Sequence, residues 1–587
     1  MEEAEEACRE ALFLEPEHVG ALNNLSTILL DMGRFDEAAD TARQAISLKP
    51  KFAESYCTLG NVLASMERLD DSVNAYRFAI QLNPDYAESF SNLGSVLIEL
   101  GKYEEAKSVL LQALTLKPTL YACRIKLLIL SLPLVVASHE EADQVITNFS
   151  TSLSNLEEEA SRNGLAALGE VVGVMQPFNL AYRLGDHKKL LSKYGDIICK
   201  ARDAWFNQRY LSPKLENCKD RDRMRLLIIS GHIRRHSVWD VILHGLLRYI
   251  NRERFEIFVY HTVSRIDEET ERGRLLADFF VQGPADWLKL VLEHKPDIIF
   301  YPEVGMDTET LKLASLRLAP LQVVSWGHPI TTGLPTIDIF LSGTLLEHDD
   351  AKQDYREQLV CLPGTGGCSI LMPFVSKKPE LADWCDVMAD NSRSVFVICQ
   401  QMIKFDPSVY EIFPKIALLS DSCCFWFVRD RKYIWASELV EKRIREAFVK
   451  TSLDPDVYLR FFDWLPGDQF WGFMEAADIF LDLPSFSGYT TAWQAIHCNT
   501  PVVTLEGRYL RQRLAAGLLK SLGVEETIAS DINEYINIAS KLANFPEKRN
   551  KIKRLMQDRV GCADEDVRVV RAFEDVLTSE FLKRAMN

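Results

Sequence analysis

Four prolines set the ruler for this sequence. Pro16, Pro50, Pro84 and Pro118 stand at intervals of 34 residues, each closing a helical pattern that ends Leu-Glu-Pro, Leu-Lys-Pro, Leu-Asn-Pro and Leu-Lys-Pro. Proline cannot continue a helix, so each marks a fixed break between helices. Small residues keep the same phase, with Ser26, Gly60 and Gly94 at one point of the period and Ala38, Ser72 and Ala106 at another. A fixed period with small residues where helices touch describes stacked helix pairs.

That period is the one of tetratricopeptide (TPR) repeats, and it predicts a TPR superhelix over residues 1–120. Residues 3–16 match the second half of a repeat, so an apolar helix face is expected to lie uncapped at the start, with further repeats ahead of it in a longer product. Such an array offers a concave surface to a protein or peptide partner. Asn24 and Asn92 share one repeat position, with Thr58 between them, and read equally well as clamps on a peptide backbone or as caps and packing residues.

The whole chain has 587 residues, enough for three or four folding units. From 121 to 222 the period is lost while helical apolar spacing continues, and the polar run Ser150–Arg162 reads as a flexible connection. After Arg223 short β-rich runs alternate with amphipathic helices: Leu226–Ser230, Phe255–Tyr260, Asp297–Tyr301, Leu321–Ser325 and Ile337–Ser342. A second set follows at Val395–Cys399, Cys424–Val428, Tyr458–Phe462, Asp478–Leu481 and Pro501–Leu505. The alternation predicts two parallel α/β (Rossmann-like) lobes, at 223–375 and 376–587, the second ending in helices.

Charge excludes some classes. With 84 acidic against 67 basic side chains the net charge is −17, unsuited to nucleic acid or an anionic membrane. The N-terminus is acidic where a secretory signal is basic, and the longest apolar stretch, Leu127–Ala137, is short and broken by Pro133. A cytoplasmic chain without a membrane span is expected. The 13 cysteines are scattered, and Cys423-Cys424 sits in an apolar run, so neither a disulfide framework nor a zinc site is indicated.

In parallel α/β sheets ligands bind beyond the carboxyl ends of the strands, and a cleft between two such lobes holds a donor on one side and an acceptor on the other. The segments placed there carry a resemblance. Gln400-Gln401-Met-Ile-Lys404-Phe-Asp406-Pro407, Ser487-Gly488-Tyr489-Thr490-Thr491 and Asn499-Thr-Pro501 through Gly507, with Arg511-Gln-Arg513, resemble the donor-binding segments of O-linked N-acetylglucosamine transferases. Gly231-His-Ile-Arg-Arg-His236-Ser-Val-Trp239-Asp240, Tyr301-Pro-Glu303-Val-Gly-Met306 and Ser325-Trp-Gly-His328-Pro329 are similar to the SPINDLY-like members.

The resemblance implies a GT-B glycosyltransferase, in which Lys404 neutralises the diphosphate and Gln401 touches the donor. Thr490 and Thr491 open a helix whose N–H groups suit phosphate oxygens. It places His236 near the acceptor hydroxyl, with Asp240, Glu303 and His328 as further acid–base or sugar-facing candidates. Three positions depart from the animal members: Gln494 stands for an aspartate near the ribose, Phe470 for a base-facing histidine and Tyr489 for another histidine. Asp406 reads as a helix cap, Asp454-Pro-Asp456 as a turn, and Gly364-Thr-Gly-Gly367 as an interdomain turn or a phosphate-approaching loop.

The implied function is inverting, metal-independent transfer of N-acetylglucosamine from UDP-GlcNAc to Ser/Thr of proteins held by the array, with no cofactor. The alternatives are glucosyl or fucosyl transfer on the same fold, or a non-catalytic TPR scaffold.

Overall fold

A computed structural model of the protein describes residues 2–210, 221–370, 374–381 and 393–586. The repeat begins as the prolines require, with antiparallel helix pairs such as Ala53–Ser65 with Leu69–Leu82 and Ala87–Glu99 with Tyr103–Leu116. The small residues lie at the crossings. A Cβ on Gly60 would come within 2.6 Å of the Tyr76 ring, and one on Gly94 within 2.6 Å of Leu110. Ser72 Oγ donates to the Gly60 carbonyl (2.7 Å) and Ser26 Oγ to that of Ala38 (2.8 Å), so one helix of each pair is pinned to the next.

The polar run Ser150–Arg162 is not a flexible connection. It lies inside the helix His139–Asn163 of 25 residues. Its serines and glutamates cover the outer face while Val145, Phe149, Leu153, Leu156 and Ala160, at helical spacing, are buried inward. The segment Phe178–Tyr182 then forms a short 3-10 turn, and Lys188–Arg209 a long helix against the first lobe.

The first lobe is a seven-stranded parallel sheet of β1 (Met224–Ser230), β2 (Phe255–His261), β3 (Phe279–Gln282), β4 (Ile298–Tyr301), β5 (Leu321–Ser325), β6 (Ile339–Gly343) and β7 (Gln358–Leu362), in the order β3-β2-β1-β4-β5-β6-β7. The second is six-stranded, with β8 (Ser394–Ile398), β9 (Cys423–Val428), β10 (Leu459–Phe462), β11 (Ile479–Leu481), β12 (Val502–Leu505) and β13 (Ile528–Ala529), in the order β10-β9-β8-β11-β12-β13. All the pairings are parallel, and each sheet reverses its winding beside its first strand, between β1 and β4 and between β8 and β11. Those reversals open the crevices in which such sheets hold ligands.

The final helix, Val567–Met586, does not stay with the second lobe as the boundary 376–587 implies. It crosses to the first, where Phe573 meets Phe300 edge-on at 5.0 Å and Glu574 accepts from the Asn251 N–H at 2.7 Å. Val570, Phe573 and Leu577 make its buried stripe.

Candidate active site

The loops after β1, β4 and β5 of one lobe face those after β8, β9 and β11 of the other across a cleft of about 710 Å³. His236, His328, Gln401, Lys404, Tyr489, Thr490 and Thr491 all line it. The linker contributes as well, through Phe178, Asn179 and Tyr182.

On the second lobe Lys404 follows β8 in a 3-10 turn, with Nζ 4.7 Å from the centre of the Phe486 ring and 5.8 Å from that of Tyr182. Burial among these rings lowers its pKa to about 8, against the pull of Asp430 and Asp482. The helix Tyr489–His497 starts beside it, and its N-cap, Gly488, supplies no side chain to satisfy the first amides. Thr491 Oγ1 is buried there without a partner. An ammonium and an open helix N-terminus on one wall make an anion site.

Asp482, one residue past the apolar core of β11, sets that wall. It is fully buried and accepts from Gln400 Nε2 (2.6 Å), the Gly488 N–H (2.8 Å), Ser487 Oγ (2.7 Å) and Thr504 Oγ1 (2.7 Å). Burial raises its pKa to about 6 in spite of those donors. Asp406 caps the next turn, accepting from the N–H and Oγ of Ser408.

The opposite wall carries imidazoles. His236 lies at the start of the helix after β1, and its Nδ1 accepts the Val238 N–H at 3.2 Å. Burial lowers its pKa to about 4, so the ring is neutral and its proton sits on Nε2. This histidine therefore presents an N–H donor to the cleft. His328 is the reverse. Its Nδ1 donates to the Val304 carbonyl (3.0 Å), its ring stacks on Phe178 (4.7 Å), and its Nε2 has no partner. Burial lowers its pKa to about 4 as well.

Several expected roles change. Glu303 does not line the cleft. It is fully buried beneath it, accepts from Ser230 Oγ at 2.9 Å, and burial raises its pKa well above the usual carboxylate range. From there it has no direct contact with the cleft. The Tyr489 side chain is spoken for, because its hydroxyl bonds Thr365 (3.1 Å) and Ser369 (3.3 Å) of the first lobe, and what remains for a donor is the backbone N–H. Phe470, packed against the core, and Gln494 lie outside the residues lining this cleft. Asp240 also lies off the lining, with a pKa raised to about 7 by burial and by Glu269.

Gly364 and Gly366 hold left-handed turns (φ 60° and 69°), and Thr365 between them bonds Tyr489, so this loop is an interlobe fastening. Asp454 caps the short helix Pro455–Tyr458, which is the turn expected there. His232, Gln400, Asp482 and the Phe178–Tyr182 turn had no assigned role in the sequence. The signal for Asp482 was a carboxylate at the end of an apolar strand. The Phe178–Tyr182 turn lies where the repeat period has gone and no motif replaces it.

Comparison with known proteins fits this geometry. Residues 387–569 match the model of glycosyl transferase family 41, and residues 2–51, 60–101 and 87–120 match tetratricopeptide repeat models. The second lobe is thus similar to glycosyl transferase family 41, and the helical array ahead of it to tetratricopeptide repeats.

Among similar proteins is a probable UDP-N-acetylglucosamine–peptide N-acetylglucosaminyltransferase SPINDLY of Oryza sativa subsp. japonica, 26% identical over 64% of this chain and 41% of its own length. Another is a UDP-glucose:protein N-beta-glucosyltransferase of Actinobacillus pleuropneumoniae, 24% identical over 50% of this chain and 46% of its own. This chain thus spans about two fifths of that rice relative's length. In fold it resembles a mutant O-GlcNAc transferase of Thermobaculum terrenum, with a TM-score of 0.68, 19% identity and coverage of 97% of this chain and 98% of the other. No helix of the described residues is long and apolar enough to cross a membrane.

Proposed function

We propose that this chain transfers a sugar, N-acetylglucosamine from UDP-GlcNAc, to serine or threonine hydroxyls of protein acceptors presented by the TPR array. The observation that carries the reading is the pairing of walls: Lys404 and the open helix N-terminus at Tyr489–Thr491 on one side, neutral imidazoles on the other. As the glycosyl bond breaks, charge gathers on the diphosphate, and a fixed cation with aimed amides stabilises it there. The acceptor attacks from the face lined by His236 and His328, opposite the leaving group, so the anomeric centre inverts. Lys404 and the amides supply the charge compensation, so the mechanism calls on no metal.

The similarity to a glucosyltransferase that acts on proteins keeps glucose onto asparagine as the second reading. The test incubates the chain with a panel of UDP- and GDP-sugars and a mixed peptide library, and reads peptide mass and released nucleotide. A gain of N-acetylhexosamine on Ser/Thr peptides, absent from Lys404→Ala, is the expected result. A hexose on asparagine selects the second reading, and no turnover with any donor rejects both.

A further inference from the structure

The base that takes the acceptor's proton needs an unengaged lone pair on a residue of the cleft lining, with somewhere to put the charge. His236 has none to offer, because its Nδ1 is engaged by the Val238 N–H and its Nε2 already bears hydrogen. His328 has an unpartnered Nε2, but the groups set against its ring are the backbone carbonyls of Val304 and Phe178, which cannot take a proton, so protonation leaves a buried cation without a counter-ion.

His232 differs from both. It follows β1 by two residues and lines the cleft with 12% of its side chain exposed, while both ring nitrogens are buried just beneath that surface without a partner. A nearly buried imidazole with both nitrogens unpaired needs an explanation. Its ring stacks on His236, with centroids 4.0 Å apart and planes 17° from parallel, which fixes its orientation. Its Nε2 lies 4.0 Å from Glu303 Oε1. Catalytic hydrogen bonds are commonly this long before substrate arrives.

The sheet builds the couple. β1 and β4 are neighbours, so Ser230 at the end of one meets Glu303 just past the end of the other, at the reversal of strand order. Ser230 Oγ donates to Glu303 (2.9 Å) and accepts the His232 backbone N–H (3.0 Å), which ties carboxylate and imidazole to one hydroxyl.

We infer that His232 takes the proton of the acceptor hydroxyl and hands another to Glu303, a two-proton relay serving the glycosyl transfer proposed above, on which this inference rests. As the acceptor oxygen bonds to the anomeric carbon, the bond from that carbon to the diphosphate oxygen breaks and its electron pair leaves with the nucleotide. The acceptor's proton goes to His232 Nδ1 while the proton on Nε2 goes to Glu303 Oε1. The ring is neutral before and after, the carboxylate becomes a carboxylic acid, and His232 returns that proton to solvent once products leave. His232 is thus a catalytic residue, and Glu303 works through it.

The surroundings favour a relay over a stored imidazolium. His236, Arg234 and His261 all oppose positive charge on His232, whose pKa burial and these neighbours lower to about 2. Around Glu303, burial and Asp307 favour the protonated carboxyl, while the Ser230 hydroxyl and the Gly231 N–H favour the carboxylate. The carboxyl is therefore the better resting place for the proton.

The experiment uses the full chain, UDP-GlcNAc or whichever donor the panel selects, and the peptide it modifies. His232→Gln and Glu303→Gln should each lower kcat about 100-fold or more while the Kd for UDP stays within about twofold, and the double variant should fall no lower than either single one. In the wild type kcat should rise with pH as Glu303 ionises, a limb that Glu303→Gln removes. Added imidazole should restore turnover to His232→Ala but not to Glu303→Gln, a readout that a merely structural residue would not move.

A wild type that transfers sugar with a His232→Gln variant that keeps pace overturns the relay alone. So does a loss that appears in UDP affinity instead of kcat. A wild type that transfers no sugar from any donor overturns the glycosyl-transfer reading, and the relay with it.

Discussion

Lys404 titrates where its charge matters. Burial lowers its pKa to about 8, so at pH 7 it is protonated, as the proposed diphosphate site requires, and above pH 8 it loses that proton. The Kd for UDP, measured by calorimetry, should therefore rise about tenfold per pH unit above 8, and Lys404→Met should flatten that dependence and weaken binding at pH 7 by about 1.5–3 kcal/mol. Asp482 controls the same wall from inside. Asp482→Asn turns an NH₂ group toward two of the donors that the carboxylate now accepts from, and should cost about 3 kcal/mol of stability by chemical denaturation along with a weaker Kd for UDP. The family motifs pointed to Lys404, Thr490, Thr491, His236 and His328, and the fold brings them to one cleft. They could not show that Glu303 is buried or that the Tyr489 hydroxyl is taken by the other lobe, because both depend on what stands opposite in space.

The helix pairs obey the 34-residue period because their packing does. Gly60 shows the constraint: a side chain there meets the Tyr76 ring head-on, while the Tyr76 hydroxyl is held by Asn61 Oδ1 at 2.6 Å and the ring has little room to turn. Gly60→Val should lower stability by about 1–3 kcal/mol in thermal unfolding, whereas Ala64→Val, on a helix position that is only half-buried, should change it far less. Most strands were legible as β-rich runs before turns, but β3, β7 and β13 were not. Each lies at a sheet edge, where fewer neighbours demand apolar residues: Phe279 is exposed, β7 buries only Leu359 and Leu362 of its five residues, and β13 has two residues. The Ser150–Arg162 run misled in the opposite sense. Its polar composition resembles a linker, and only the buried stripe from Val145 to Ala160 identifies it as one face of a helix.

Across the whole molecule the array touches both lobes that form the cleft. Ser264 Oγ of the first lobe donates to the Asp31 carbonyl at 2.8 Å. On the second lobe Trp435 Nε1 donates to the Glu99 carbonyl at 3.0 Å, its ring meets Tyr103 edge-on at 5.7 Å, and Lys432 pairs with Glu99 at 3.1 Å. Gly101 makes this contact possible, since its backbone is left-handed (φ 71°) and a Cβ would lie 2.5 Å from the indole. The period predicts the array but not this seat, because Trp435 belongs to a different lobe and reads in isolation as one more aromatic on a helix. The joint does no chemistry, so its loss should separate positioning from catalysis. Trp435→Ala should leave the Kd for UDP within about twofold and release the array to limited proteolysis at lower protease concentration than the wild type. Transfer to a folded protein acceptor should fall further than transfer to a short peptide, because only the longer acceptor spans array and cleft together. Equal losses for both acceptors would show that the array plays no part in presenting them, and that the indole serves the lobe alone.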